Sequence, residues 1–480
     1  SQSSADEVRH QMLSQLDSSF GLGEEGLGQA AAQVFASFGD LAASPKDEAV
    51  RSVVLSGAET LASRFRSTSE QIEQLQDSTV QQVEDHVTAI NGLASKIAAL
   101  NQQLSGTGSL TNKPNDLLDQ RDQLISELSQ HILVTRVDNR GTDGQPDGTV
   151  NLFVGGGQSL VLGSGSEDLV AVADDQDSNR VRVMTVQNGH QRELSAGLLG
   201  EGALAGLMKF QDEDLSDTRA ALGQMAAALA DGINQQHVQG TDLNGQVGGE
   251  LLSAGKAQVW PSTANARDAS GAYASTVSVT RVAGQGAQLQ ASDYELQLDP
   301  ADSTGTRYQV TRQSDGTVFS GLASGATVDG FKFDVSGTSM NAKDRFLLQP
   351  VSAAAGQLDV SITDPRKLAA AGATAAGSGN TNALAMRELA KSALVESKTF
   401  SNAHAKLIGD VGVRVQRAGS DADASATVLS TVQEQLGSET GVNLEEEAAK
   451  MLQFQQSYQA AAKVLVTAQK MFDTMLSVMN

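Results

Sequence analysis

The last stretch of the chain admits one local structure. Leu444, Met451, Tyr458, Leu465, Phe472 and Met479 recur at a strict heptad interval, and Phe454, Ala461, Ala468 and Met475 fill the complementary positions. No Gly or Pro follows Gly441 to interrupt them. A heptad advances about 3.5 residues per turn, so its large apolar side chains keep one seam turned toward a partner helix. The segment therefore reads as a coiled-coil helix whose mate lies elsewhere. Residues 1 to 16 supply Val8, Met12, Leu13 and Leu16, too few anchors to zip along it, because short helices take their stability from packing. A further N-terminal helix is expected to precede this sequence. Glu445, Glu446 and Glu447 stand where carboxylates complement the positive end of a helix.

The rest of the 480 residues alternates between two periods. Ser44 and Pro45, followed by Asp47 and Glu48, read as a helix start with Ser44 as N-cap. Phe65, Ile72, Leu93 and Leu100 then share one heptad phase, and Val83, Ile90, Ile97 and Leu104 another, with flaws at Thr79 and His86. Leu117, Leu118, Leu124, Ile125 and Leu128 make a second helical arm after a break at Ser105 to Pro114. Short β-branched runs at 132–134, 150–154, 160–162 and 181–186, parted by clusters such as Gly155-Gly156-Gly157, predict hairpins. Helical spacing returns from Ala203 to His237 and again from Asn382 to Leu407 and over Val428, Val432 and Leu436. Between these, Tyr294 to Leu298, Tyr308 to Thr311, Phe331 to Val335 and Phe346 to Leu348 read as strands.

The fold expected is α+β, an elongated multidomain chain. It has a helical bundle and coiled coil with flanking β-hairpins, plus an inserted all-β domain. The expected divisions are a first bundle part at 1–130, hairpins of the same domain at 131–194 and a bundle helix at 195–245. An inserted outer β-domain follows at 246–366, returning bundle helices at 367–437 and a C-terminal coiled-coil helix for an inner tube at 438–480.

Composition narrows function by exclusion. Lys and Arg number 34 against 57 Asp and Glu, a net charge of -23 that repels phosphate backbones and acidic lipid, so nucleic acid and membrane are not expected partners. Apolar runs such as Ala460 to Val466 fall far short of a membrane span. The chain has no Cys, hence no thiolate site or Cys nucleophile. Among His10, His86, His131, His190, His237 and His404, no two share the helical spacing of a zinc pair, and no His-Glu-x-x-His occurs. Gly155-Gly156-Gly157 is followed by another strand rather than a phosphate-holding helix. Asp138, Asp143 and Asp147 lack the ligand order of a calcium loop. No catalytic residue, cofactor or metal is expected. An alternative use is a surface adhesin or ligand-binding module, with Trp260, Tyr273, Tyr294 and Tyr308 as an aromatic patch on the β-domain.

Particular segments point to a family. Asn115-Asp116-Leu117-Leu118-Asp119-Gln120-Arg121-Asp122-Gln123-Leu124, then Gly240-Thr241-Asp242-Leu243-Asn244-Gly245, then Phe346 to Val351 stand in a telling order. They are followed by Gly441-Val442-Asn443-Leu444, Phe454-Gln455-Gln456 with Tyr458, and Phe472-Asp473. The chain so read resembles the flagellar hook-associated protein 1 family, the first hook–filament junction proteins, along nearly its whole length. The ending is shared broadly with flagellar axial proteins, the Asn115 segment with fewer, and here Asp116 occupies its second position. The family's opening helix, rich in Asn and Ala, and its Gly-Tyr turn have no counterpart here. The resemblance implies an extracellular structural protein of the flagellum, exported unfolded by the type III route. It also implies as partners copies of itself, the hook protein, the second hook–filament junction protein, and a cytoplasmic export chaperone that holds the C-terminal helix. Leu444, Met451, Phe454, Tyr458, Leu465, Phe472, Met475 and Met479 are the expected assembly and chaperone interface.

Overall fold

One helix, Glu48–Ser105, runs unbroken for 58 residues and carries both predicted apolar phases. The structure, a computed structural model, describes residues 1–21, 26–105, 115–140, 144, 146–187, 189–337, 340–374, 379–440 and 444–478. Preceding the long helix α3 are α1, Gln2–Ser18, and α2, Leu27–Ala43; α4, Asn115–His131, follows it. Both phases of α3 are buried from Phe65 to Leu104. Thr79 is buried too and gives its hydroxyl to Leu75 O at 2.8 Å, which removes the polar penalty of that flaw. The N-cap is Asp47, not Ser44. Ser44 O accepts from Asp47 N in a turn, and the Asp47 carboxylate then accepts from Ala49 N at 2.8 Å.

The hairpins fold as two antiparallel meanders. One orders Thr135–Arg140, Pro146–Val154, Gln158–Leu162 and Gly165–Ser166, the other Asp168–Ala173, Val181–Gln187 and His190–Glu193. Gly155, Gly156 and Gly157 make the tight turn between strands with φ of 51, 74 and 113°. Two asparagines of α3 fasten the meanders to it. Asn101 bonds Val150 N and O, and Asn91 bonds Leu169 N and O. A short helix α5, Ala196–Leu199, leads to α6, Ala203–Lys209. The expected single helix from Ala203 to His237 is interrupted by a π-turn, Phe210–Leu215, before α7, Ser216–His237. The wider turn places Gln211 and Asp214 inside. Gln211 bridges Val181 N and O, and Asp214 takes Arg9 at 2.8 Å and Arg414 at 3.1 Å.

The β-insertion has its own core. A five-stranded sheet orders Gln258–Pro261, Arg345–Gln349, Tyr294–Leu298, Tyr308–Arg312 and Val318–Leu322, and a second sheet orders Ser275–Arg281, Phe331–Gly337 and Thr327–Val328. Leu296, Val310, Phe331, Phe333, Phe346 and Leu348 are buried between them. The aromatic patch does not form, because Tyr294 and Tyr308 are core residues, edge-on to Phe331 at 4.7 Å and Phe333 at 6.0 Å. Leu252–Ser253 pairs antiparallel with Asp359–Val360, closing the insertion's two ends together. Leu251, Leu252, Val351 and Leu358 belong to the helical core rather than to the β-core. The seam between the bodies is polar on one side. Asp231 of α7 accepts from Gly284 N and Gly286 N, and Gln224 donates to Leu289 O.

The return also departs from expectation. Helix α8, Thr381–Glu388, stops, and Glu396 and Ser397 take positive φ in a turn between Val395 and Lys398. Helix α9 then runs Phe400–Thr440 without the anticipated pause, and α10 runs Leu444–Val478. By contact the chain forms two units, Ser1–Ala422 and Asp423–Asn480. In the first, the α9 positions Phe400, Ala403, Leu407, Val411 and Ala418 complete the helical core.

A Cβ on Gly223 would stand 2.1 Å from Val351 O, where the insertion's exit crosses α7, whereas one on Gly92 meets nothing within 4 Å. Gly223→Ala should cost about 1–3 kcal/mol in urea unfolding, and Gly92→Ala should be neutral or stabilise by up to about 1 kcal/mol. Equal effects would contradict the close approach. Buried His237 accepts from Ala369 N at 2.8 Å and bonds Gly249 O through its other ring nitrogen, which fixes a neutral ring. Burial lowers the pKa of His237, and likewise of His86, His131 and His404. Below about pH 6.5 the unfolded chain binds protons that the folded one refuses, so stability should fall as pH drops from about 6.5 to 5. The urea midpoint measures it, and a flat profile would refute the assignment.

Candidate assembly surface

On α10 the predicted interface residues lie along one helix with their side chains in solvent: Met451 is 73% exposed, Phe454 74%, Tyr458 78%, Leu465 66%, Phe472 66% and Met475 61%. Leu444 begins the helix, and its side chain and Met479 lie outside the described residues. The heptad thus becomes a continuous ridge rather than a core. Val464 and Met471, also exposed and also one heptad apart, form a second row beside it. That row was legible in the same spacing but hidden by the stronger one. It widens the apolar arc in the C-terminal half of α10, so that half can be covered from more than one side. Val428, Leu429, Val432 and Leu436 of α9 are exposed as well, although their spacing suggested bundle positions.

Energetics makes this ridge a surface to be covered. Burying one such side chain is worth roughly 1.5–3 kcal/mol, and monomeric proteins seldom leave a contiguous apolar strip of this kind in water. Elsewhere the polar candidates have local partners. Asp138 pairs with Arg136, Asp147 accepts from Thr149 N, and Asp143 lies outside the described residues. Among the described residues no group of three or more His, Cys, Asp or Glu converges on a metal position, and no helix is long and apolar enough to cross a membrane. The clefts of the first unit are small, about 240 Å³ beside α7 and α9 and about 190 Å³ between α3 and α7.

Comparison with known proteins gives this arrangement a context. The helical domain of flagellar hook-associated protein FlgK matches residues 13–252, and the D2-like domain of flagellar hook-associated protein 1 matches residues 263–350. The C-terminal segment of the flagellar basal body rod FlgEFG proteins matches residues 432–478. All three describe proteins of the flagellum. Flagellar hook-associated protein 1 of Salmonella typhimurium is 35% identical over 99% of this chain and 85% of its own length, and that of Escherichia coli is 33% identical over the same shares. The chain belongs to the flagellar hook-associated protein 1 family. The solved hook junction protein FlgK of Burkholderia pseudomallei shares its fold, with a TM-score of 0.80 at 23% identity over 91% of this chain and 98% of that one.

An uncovered helix is marginal in water, so α10 should exchange its amide hydrogens rapidly in a dilute solution of the chain while α3 is strongly protected. Hydrogen exchange over 451–475 checks this. Protection there equal to that of α3 would mean the ridge is covered without a partner.

Proposed function

We propose that the chain is a structural junction protein of the bacterial flagellum, joining hook to filament by self-assembly in the axial structure and performing no catalysis. The observation that carries this reading is the exposed ridge of α10, on a chain similar along 99% of its length to flagellar hook-associated proteins 1. Its partners in this reading are further copies of itself, the hook protein and the second hook–filament junction protein. Residues 438–480 serve the inner tube, 246–366 form an outward β-domain, and the helices and hairpins of 1–245 and 367–437 make one bundle. The chain leaves the cell by the flagellar type III route.

The mechanism rests on the cost of leaving the ridge wet, about 25 cal/mol for each Å² of apolar surface. Before export a cytoplasmic chaperone covers Leu444 to Met479; after export the same side chains are buried among neighbouring helices. One surface cannot hold both partners, so assembly displaces the chaperone and no energy-consuming step is required for the handover. Large anchors at the centre of such a strip carry most of the binding energy, here Leu465 and Phe472.

Changing Leu465 and Phe472 together to Asp places charge in each apolar contact. Both side chains are exposed, so folding of the first unit should be unaffected. The double variant is expected to lose chaperone binding in a pull-down and to stop filament growth, whereas Glu445→Gln should do neither. Unchanged chaperone affinity and normal filaments in the double variant would overturn the proposal.

A further inference from the structure

His86 was expected to be a flaw in the seam of α3; it meets His131, the last residue of α4. The two Nδ1 atoms lie 2.6 Å apart, with the rings edge-on at 4.9 Å between centroids. At that distance one nitrogen must donate and the other accept. Besides this pair, α4 is held by buried Leu128 and Arg121, Arg121 donating to Gly148 O, and by Leu124 and Ile125, partly buried against the helical core. Behind His131 the chain is tightly crossed. A Cβ on Gly202 would stand 2.7 Å from the His131 carbonyl, and Leu133 N donates to Glu201 O.

Proton placement on this pair follows from its geometry. The first added proton goes to the free Nε2 of the donor ring and strengthens the bond, because an imidazolium donates better than an imidazole. The negative end of α4 and the nearby Glu127 favour that charge on His131, making His131 the donor and His86 Nδ1 the acceptor. The second proton has only His86 Nδ1 to bind, and there it would set two N–H groups against each other. Burial and then the neighbouring ring both lower the pKa of His86, with Asp85 opposing them. Other carboxylates on the elements packed against the pair are engaged, Glu201 by Ser1 Oγ and Asp6 by Gln2 Nε2. We propose that the His86–His131 contact is an acid-released latch, holding the C-terminal end of α4 on α3 until His86 Nδ1 itself takes a proton. The C-terminal end of α4 then loosens from α3 in acid.

The absence of Cys makes the test direct. Spin labels on Thr88→Cys and Ser126→Cys, both exposed, report the distance between α3 and α4 in the intact chain by double electron–electron resonance. From about pH 7.5 to 4.5 the labelled chain should gain a second, longer distance population that disappears on neutralisation. With His86→Gln added, the amide oxygen accepts from His131 at every pH and the population should stay single. With His131→Gln, the amide can turn its oxygen toward a protonated His86 Nδ1, so here too the population should stay single. Circular dichroism confirms that each variant is folded. An invariant distance with both histidines present, or the same acid population after His86→Gln, would overturn the latch.

Discussion

A helix as long as α3 cannot persist in water on propensity alone, so the first unit depends on both apolar seams of that helix being covered along their length. Helices α1, α2 and α4 and both meanders lie against it, and its asparagines replace hydrogen bonds that the meanders would otherwise lose to the apolar interior. Helix α10 follows the same heptad rule with its seam open. One pattern therefore makes the body of the protein when it is closed within the chain, and an exposed apolar ridge when it is not.

The parts of this architecture visible in the sequence are those written as periodicity. The length of α3, the hairpins around Gly155-Gly156-Gly157 and the row from Met451 to Phe472 all follow from the spacing of large apolar residues, because side-chain direction repeats with the backbone. Features set by single hydrogen bonds were not visible. Asp47 displaced Ser44 as cap because a turn at Ser44 engaged its carbonyl, and the π-turn at Phe210–Leu215 depends on burying Gln211 and Asp214, polar residues that carry no apolar signal. The turn at Glu396 and Ser397 has no Gly to announce it. Tyr294 and Tyr308 misled for the opposite reason, since an aromatic has the same letter whether it faces ligand or core. The exposed row from Met451 to Met475 follows the spacing, and the second row of Val464 and Met471 shares that spacing but was masked by the stronger one.

Charge complements this division of surfaces. The excess of Asp and Glu is spread over a chain whose buried charges include close pairs, as with Asp214 between Arg9 and Arg414. Net repulsion of -23 opposes indiscriminate association of copies, while the neutral ridge of α10 is spared it.

The clasp between Leu252–Ser253 and Asp359–Val360 brings the entry and exit of the β-body side by side, and Gly223 admits the exit strand over α7. The insertion joins the helical body at that narrow neck and along the seam where Asp231 and Gln224 meet Gly284, Gly286 and Leu289. What hangs beyond it can change in size or be exchanged for another fold with adjacent ends, leaving the underlying frame undisturbed. The insertion is in this sense a socket: a place where such a protein can diversify under selection, or carry a displayed antigen or enzyme, without rewriting the helical frame beneath it.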